Sequence, residues 1–236
     1  MDPRTTTRSH RPEIDLVEAV AALKRRYRPA KPLADPLEII LYDNIGYLIS
    51  EDRRAALFEE FGARVGFSAK AIAAAPHATL LDMAARGGMK PETRVDRWRD
   101  IARLVLEAAD GDLAAALASR PVAKARTLLK RFPSIADPGA DKILLFTGAD
   151  IRPALDSNGL RVMIRLGAAE AGPSYAASYR NAIRALATKG KMTRAWLTDA
   201  YLALQAHGRA LCKRAGPDCL PCPLDAACAH VAYIEG

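Results

Sequence analysis

The sequence predicts an all-α fold, and three observations carry that prediction. Hydrophobic residues make up 50% of the 236-residue chain, enough for a sizeable core and too many for wholesale disorder. Aromatic residues contribute only 6%, while Ala, Leu and Arg abound, a bias toward helix over sheet. Alternating strand patterns are absent, and Gly and Pro punctuate a succession of short helical stretches.

Taken in order, the first dozen residues, MDPRTTTRSHRP, lack the apolar stretch of a signal peptide and read as a mobile tail over 1–12. From Ile14 to Tyr27, Leu16, Val17, Val20, Ala21 and Leu23 fall at helical spacing. That run closes on Lys24, Arg25 and Arg26, charges suited to a helix C-terminus. Pro29, Pro32 and Pro36 then break the chain. The stretch 37–49 contains IILYDNIGYLI, apolar nearly all round, which predicts a buried helix. Asp43 and Asn44 interrupt it. An unpaired buried carboxylate is costly, so Asp43 is either a paired structural aspartate or the mark of a polar pocket in the interior. Further helices are expected over 52–61, 68–74, 97–109, 121–131, 139–147, 157–166, 173–187 and 193–212, set apart by Gly87-Gly88, Gly111, Pro121, Pro133, Pro138, Gly172-Pro173 and Gly190. No apolar run approaches the roughly 18 residues of a membrane span.

Lys and Arg number 35 against 27 Asp and Glu, a net charge of +8, a sign that points toward polyanions. The cysteines are more specific. All four fall between Cys212 and Cys228, with spacing Cys-x6-Cys-x2-Cys-x5-Cys, and none precedes Cys212. A disulfide framework would spread through a small secreted fold, so the cluster predicts a metal site in a reducing compartment. Four thiolates in so short a segment suit either one tetrahedral zinc or a 4Fe–4S cluster.

The stretch HGRALCKRAGPDCLPCPLDAAC, from His207 to Cys228, is similar to the C-terminal iron–sulfur segment of the endonuclease III and MutY branch of helix-hairpin-helix DNA glycosylases, in the His-Gly-Arg lead-in and in every cysteine interval. The resemblance implies a 4Fe–4S cluster on Cys212, Cys219, Cys222 and Cys228, and phosphate contacts from Lys213 and Arg214 in the first inter-cysteine loop. Upstream, Phe132-Pro133-Ser134-Ile135-Ala136 stands where the family has its Leu-Pro-Gly-Val-Gly hairpin, which implies DNA contacts at Ser134, Ile135 and Ala136. Leu155-Asp156-Ser157-Asn158, followed by Arg161-Val162, resembles the Leu-Asp-Gly-Asn…Arg-Val segment of MutY-type enzymes. The likeness covers about 36–49 and 125–228.

Cleavage of an N-glycosidic bond develops positive charge on the sugar, which a carboxylate stabilises. The resemblance gives that role to Asp156, with Asn158 beside it on the DNA; the residue pattern alone equally predicts an N-cap. Pro138 stands where endonuclease III carries its Schiff-base lysine, so a monofunctional, hydrolytic enzyme is expected. Lys142, one turn further on, is either a solvated lysine or the nucleophile of a bifunctional glycosylase/lyase. Matching Pro36 to the family proline puts Asp43 at the position of a catalytic glutamate, a general acid for the leaving base. It also puts Tyr47 and Leu48 where relatives fill the gap left by a flipped base, with core packing as the alternative. The chain departs from the family in Ser134 and Ala136, which replace hairpin glycines, and in ending eight residues after Cys228, which implies no additional C-terminal base-checking domain.

The expected architecture is two helical lobes with a DNA-binding cleft between them. A helical-barrel lobe with the hairpin spans 33–152; an iron–sulfur cluster lobe combines 13–32 with 153–236, and Asp156 and Asp43 both reach the flipped nucleotide. The implied function is base-excision repair on double-stranded DNA bearing a damaged or mispaired base, by a monomer, cytoplasmic and nucleoid-associated, with no membrane contact. Two other readings remain at this stage: a 4Fe–4S DNA-binding protein of the same fold without glycosylase activity, and a zinc-stabilised helical interaction module.

Overall fold

The computed structural model describes residues 14–231; the tail read over 1–12 lies outside them. Among the described residues there are twelve α-helices and one short 3₁₀ turn, and the only β pairing is an isolated bridge between Tyr47 and Gly88. The described residues divide into two compact units: residues 31–152 form one, and the flanking segments 14–30 and 153–231 form the other.

The first helix, α1 (Leu16–Tyr27), begins where the Asp15 carboxylate accepts the backbone N–H groups of Val17 (2.8 Å) and Glu18 (3.1 Å). It buries Leu16, Ala19, Val20 and Leu23 and ends on Arg28 in the left-handed region (φ 44°).

The continuous unit holds α2 (Pro36–Asn44), α3 (Glu51–Arg64), α4 (Ala69–Ala74), α5 (His77–Arg86), α6 (Pro91–Ala109), α7 (Leu113–Ala118), α8 (Val122–Leu129) and α9 (Asp137–Thr147). The long α6 is its spine, touching α2, α4, α5 and α7. Trp98 of α6 is fully buried, packs edge-on against Phe61 (4.9 Å between centroids), and donates its indole N–H to the Asn44 carbonyl (3.2 Å). That bond corrects the expected helix over 37–49. Asn44 also donates its amide to Ile40 O (2.9 Å) and Pro133 O (3.1 Å), so α2 stops there. The apolar run is still core: Ile39, Ile40, Leu41 and Ile45 are buried. Tyr47 and Leu48 leave it and stand 60% and 76% exposed on the following loop. The sequence reading also missed α5 and α7.

In the other unit α10 (Ser157–Arg165), α11 (Tyr175–Lys189) and α12 (Arg194–Ala210) join α1 around a core of Leu23, Leu155, Val162, Met163, Ala182 and Leu204. The α10–α12 contact is close because α12 carries Gly208 there. A Cβ on Gly208 would sit 2.8 Å from both the Cβ and the backbone oxygen of Asn158. Past α12 the chain turns through the cysteine segment and the 3₁₀ turn Asp225–Ala227.

Candidate functional site

Asp156 is the N-cap of α10, in extended backbone (φ −89°). One carboxylate oxygen accepts the Gly159 N–H (2.7 Å); the other accepts Asn158 Nδ2 (2.8 Å) and Gln205 Nε2 (3.0 Å) from α12. Three neutral donors therefore hold the carboxylate, and no salt bridge reaches it among the described residues. Donors of this kind hydrogen-bond the carboxylate without setting an opposite charge beside it. Tyr175, half exposed at the first position of α11, lies in the field of Asp156: burial chiefly, and then that negative charge, push its phenol above the usual range. Its ring stacks on Tyr179 (6.4 Å, 12°), which is buried.

From Asp156 the hydrogen bonds continue. Asn158 Oδ1 accepts Arg161 Nη2 (2.9 Å), and the same guanidinium donates to Gly208 O (2.7 Å) and Cys212 O (2.8 Å). The carboxylate and the first cysteine are thus linked through two side chains.

Cys212, Cys219, Cys222 and Cys228 are all free thiols, and all four line one cavity, with Val162, Leu166, Leu211 and Val231 as its apolar walls. Turns aim them inward: Cys212 N–H bonds to His207 O (3.0 Å), Cys222 N–H to Cys219 O (3.1 Å) and Cys228 N–H to Asp225 O (3.1 Å). Burial pushes the Cys219 and Cys222 thiols up, with the neighbouring cysteines adding to the effect, so thiolates here call for a compensating cation. Among the described residues no three His, Cys, Asp or Glu side chains are grouped to hold a single metal ion. Four soft thiol donors around the rim of one apolar cavity are a set that fits a thiophilic metal centre. His207, 2% exposed, is pushed down to about 4, first by burial and then by Arg26. It lies between the Tyr27 hydroxyl (2.9 Å) and Cys222 Sγ (3.7 Å). Arg165 donates to Lys213 O (2.6 Å) and Arg214 O (3.1 Å), fixing the loop backbone while both side chains stay in solvent.

The continuous unit carries the remaining predicted residues. Asp43 is no unpaired buried carboxylate: Lys142 Nζ of α9 lies 2.7 and 2.6 Å from its two oxygens, and the side chains are 30% and 12% exposed respectively. The paired reading of Asp43 holds, and Lys142 is not a solvated lysine. The hairpin joins α8 to α9. Ser134 takes the left-handed conformation (φ 65°) that glycine adopts without strain, so the turn forms although the glycine is gone. Ser134 and Ala136 are exposed, whereas Ile135 is 6% exposed against Gly139, leaving the latter only backbone to offer a ligand. Pro138 is the second residue of α9, where a missing N–H costs nothing. Beside it, the Asp137 carboxylate pairs with Lys130 (2.9 Å) and Arg126 (3.2 Å).

No protein-family model matches the chain, and no curated protein matches it in sequence. Solved structures do. A thermostable thymine-DNA glycosylase superposes with a TM-score of 0.73 at 14% identity, over 92% of this chain and 95% of that one. Endonuclease III in a trapped covalent intermediate with DNA gives 0.71 at 14%, over 93% and 96%. The fold is that of the helix-hairpin-helix DNA glycosylases. The 3-methyladenine DNA glycosylase MagIII of H. pylori, bound to 1,N6-ethenoadenine, shares this glycosylase fold at a TM-score of 0.61 and 15% identity, over 82% of this chain and 96% of that one. Sequence reasoning named Asp156, Asn158 and the cysteines; it did not name Gln205, which bonds Asp156, Arg165, which bonds the loop after Cys212, or Met89. Met89 is 62% exposed beside the Tyr47–Gly88 bridge, so two bridged loops present three bare apolar side chains. The Gly87-Gly88 pair was their signal: a Cβ on Gly87 would meet Ile45 O at 2.5 Å.

Proposed function

We propose that this protein is a monofunctional DNA glycosylase of base-excision repair, which hydrolyses the N-glycosidic bond of a damaged or mispaired base flipped out of duplex DNA. The observation that carries this reading is Asp156, a carboxylate fixed by three neutral donors and left with its full charge, as an oxocarbenium-like sugar requires. Asn158 stands beside it toward the DNA.

The lysine–aspartate pair supports hydrolysis over lyase chemistry. A Schiff base needs a free amine, and Lys142 Nζ is engaged by both oxygens of Asp43. The same pairing occupies both oxygens of Asp43, so its part is to orient Lys142. Tyr47, Leu48 and Met89 are exposed apolar wedges suited to the gap left by the flipped base. Lys213 and Arg214, together with the exposed backbone at Ser134 and Ala136, supply phosphate contacts.

Cys212, Cys219, Cys222 and Cys228 are the ligands of a 4Fe–4S cluster, which supplies a covalent cross-link for the loop presenting Lys213 and Arg214. Anaerobically purified protein should be brown, with about four irons per chain; stoichiometric zinc without iron refutes the cluster. The activity test is a panel of duplexes holding a thymine·guanine mispair, ethenoadenine, 3-methyladenine or an oxidised pyrimidine. Base release followed by alkali-sensitive cleavage is expected from the wild type and is lost in Asp156→Asn, which keeps shape and binding. Full activity in Asp156→Asn would reduce Asp156 to a helix cap.

A further inference from the structure

We propose that Gln205 positions both Asp156 and the water that captures the sugar, an inference that rests on the glycosylase reading above. Gln205 is a half-buried amide on a face of α12 otherwise lined by Tyr201, Leu204 and Gly208. Its Nε2 lies 3.0 Å from Asp156 Oδ2 across 49 residues of sequence, and among the described residues it is the sole donor to that carboxylate from outside the capping turn of α10. The contact exists because Gly208, three residues further along α12, lets the two helices close to backbone contact at Asn158. Arg161 locks that approach by its bond to Gly208 O (2.7 Å).

Chemistry fixes the orientation of the amide. A carboxylate only accepts, so the Gln205 nitrogen must face Asp156 and the oxygen must face away. That oxygen has no hydrogen-bond partner among the described residues. An acceptor held beside a carboxylate is a cradle for one water: one O–H points to Asp156, the other to Gln205 Oε1. In the reaction the C1′–N bond breaks and its electron pair leaves with the base, which takes a proton from solvent. The held water then forms the new bond from its oxygen to C1′ and gives a proton to Asp156.

The experiment compares wild type, Gln205→Leu and Gln205→Glu on thymine·guanine and ethenoadenine duplexes, with added methanol as a competing nucleophile. Gln205→Leu is expected to slow single-turnover excision by about 10- to 100-fold, the worth of a hydrogen bond to a charged group, with DNA affinity unchanged. Its sugar product should shift from water toward methanol capture, and the acid limb of its pH–rate profile should move to higher pH. A merely structural glutamine changes neither. Gln205→Glu keeps the length of the side chain but sets two carboxylates together, and its acid limb should move further still. An unchanged rate, product ratio and pH limb in Gln205→Leu overturns the proposal. If the wild type excises none of the probes, the glycosylase reading fails on its own. The Gln205–Asp156 bond is then judged by the ¹³C signal of the Asp156 carboxyl, which must move in Gln205→Leu for the positioning role to stand.

Discussion

Arg161→Leu should unravel the link between the carboxylate and the cysteine loop. The guanidinium makes three bonds, to Asn158 Oδ1 at 2.9 Å, Gly208 O at 2.7 Å and Cys212 O at 2.8 Å. Hydrogen bonds from a charged donor contribute about 1.5–3 kcal/mol each, so the gross loss is about 5–9 kcal/mol. Arg161 is only half buried, and water can reoccupy part of what it leaves; about 3 kcal/mol should remain as lost stability. At about 2–4 °C per kcal/mol for a chain of this size, the melting temperature should fall by about 6–12 °C. Thermal unfolding followed by far-ultraviolet circular dichroism measures this directly. Arg161→Lys keeps the charge, but one ammonium cannot span three acceptors on two helices and a loop, so most of the loss should persist. A fall of less than about 2 °C in Arg161→Leu would show that these bonds contribute no net stability, and the reasoning would fail.

Three further outcomes follow from the same geometry. Borohydride reduction during turnover should trap no adduct; an adduct that vanishes in Lys142→Ala would make Lys142 a nucleophile despite its pairing with Asp43. The double variant Lys213→Ala/Arg214→Ala should weaken DNA binding across sequences and flatten the salt dependence by up to about two units of slope, measured by anisotropy at several salt concentrations. Asp137→Asn should tighten DNA binding and steepen that slope, because a carboxylate that now pairs with Lys130 and Arg126 beside the hairpin is removed; Asp100→Asn, which removes one of the two carboxylates paired with Arg103 on another helix, is the control.

What the sequence made legible were features with local causes. Asp15, Ser50, Ser68 and Thr193 cap helices close to where the periodicity placed them, and the cysteine spacing located a thiol-lined cavity. What it hid depended on partners far along the chain. The end of α2 is set by Trp98, 54 residues on, and the state of Asp43 by Lys142, 99 residues on. Nor could Gln205 be found by pattern, since one amide on an apolar helix face carries no signal until the facing helix is known. The α5 helix was missed because its run is short and ends on Gly87-Gly88, which read as punctuation, although Leu80 and Met83 are fully buried.

The discontinuous unit has a consequence for synthesis. Leu16, Val20 and Leu23 of α1 leave the ribosome early, yet the residues that cover them begin beyond residue 153 and continue to Val231. At about 5–20 residues per second, that apolar face waits roughly 10–40 s for its partners, while residues 31–152 already hold the contacts of their own compact unit. The nascent chain therefore passes through a stage in which one half is finished and an uncovered amphipathic helix trails in front of it. That interval is when a chaperone would bind and when self-association is most dangerous. A chain cut short before residue 153 would remain in that stage permanently, so such a truncation should be read out in the cell first as loss of protein.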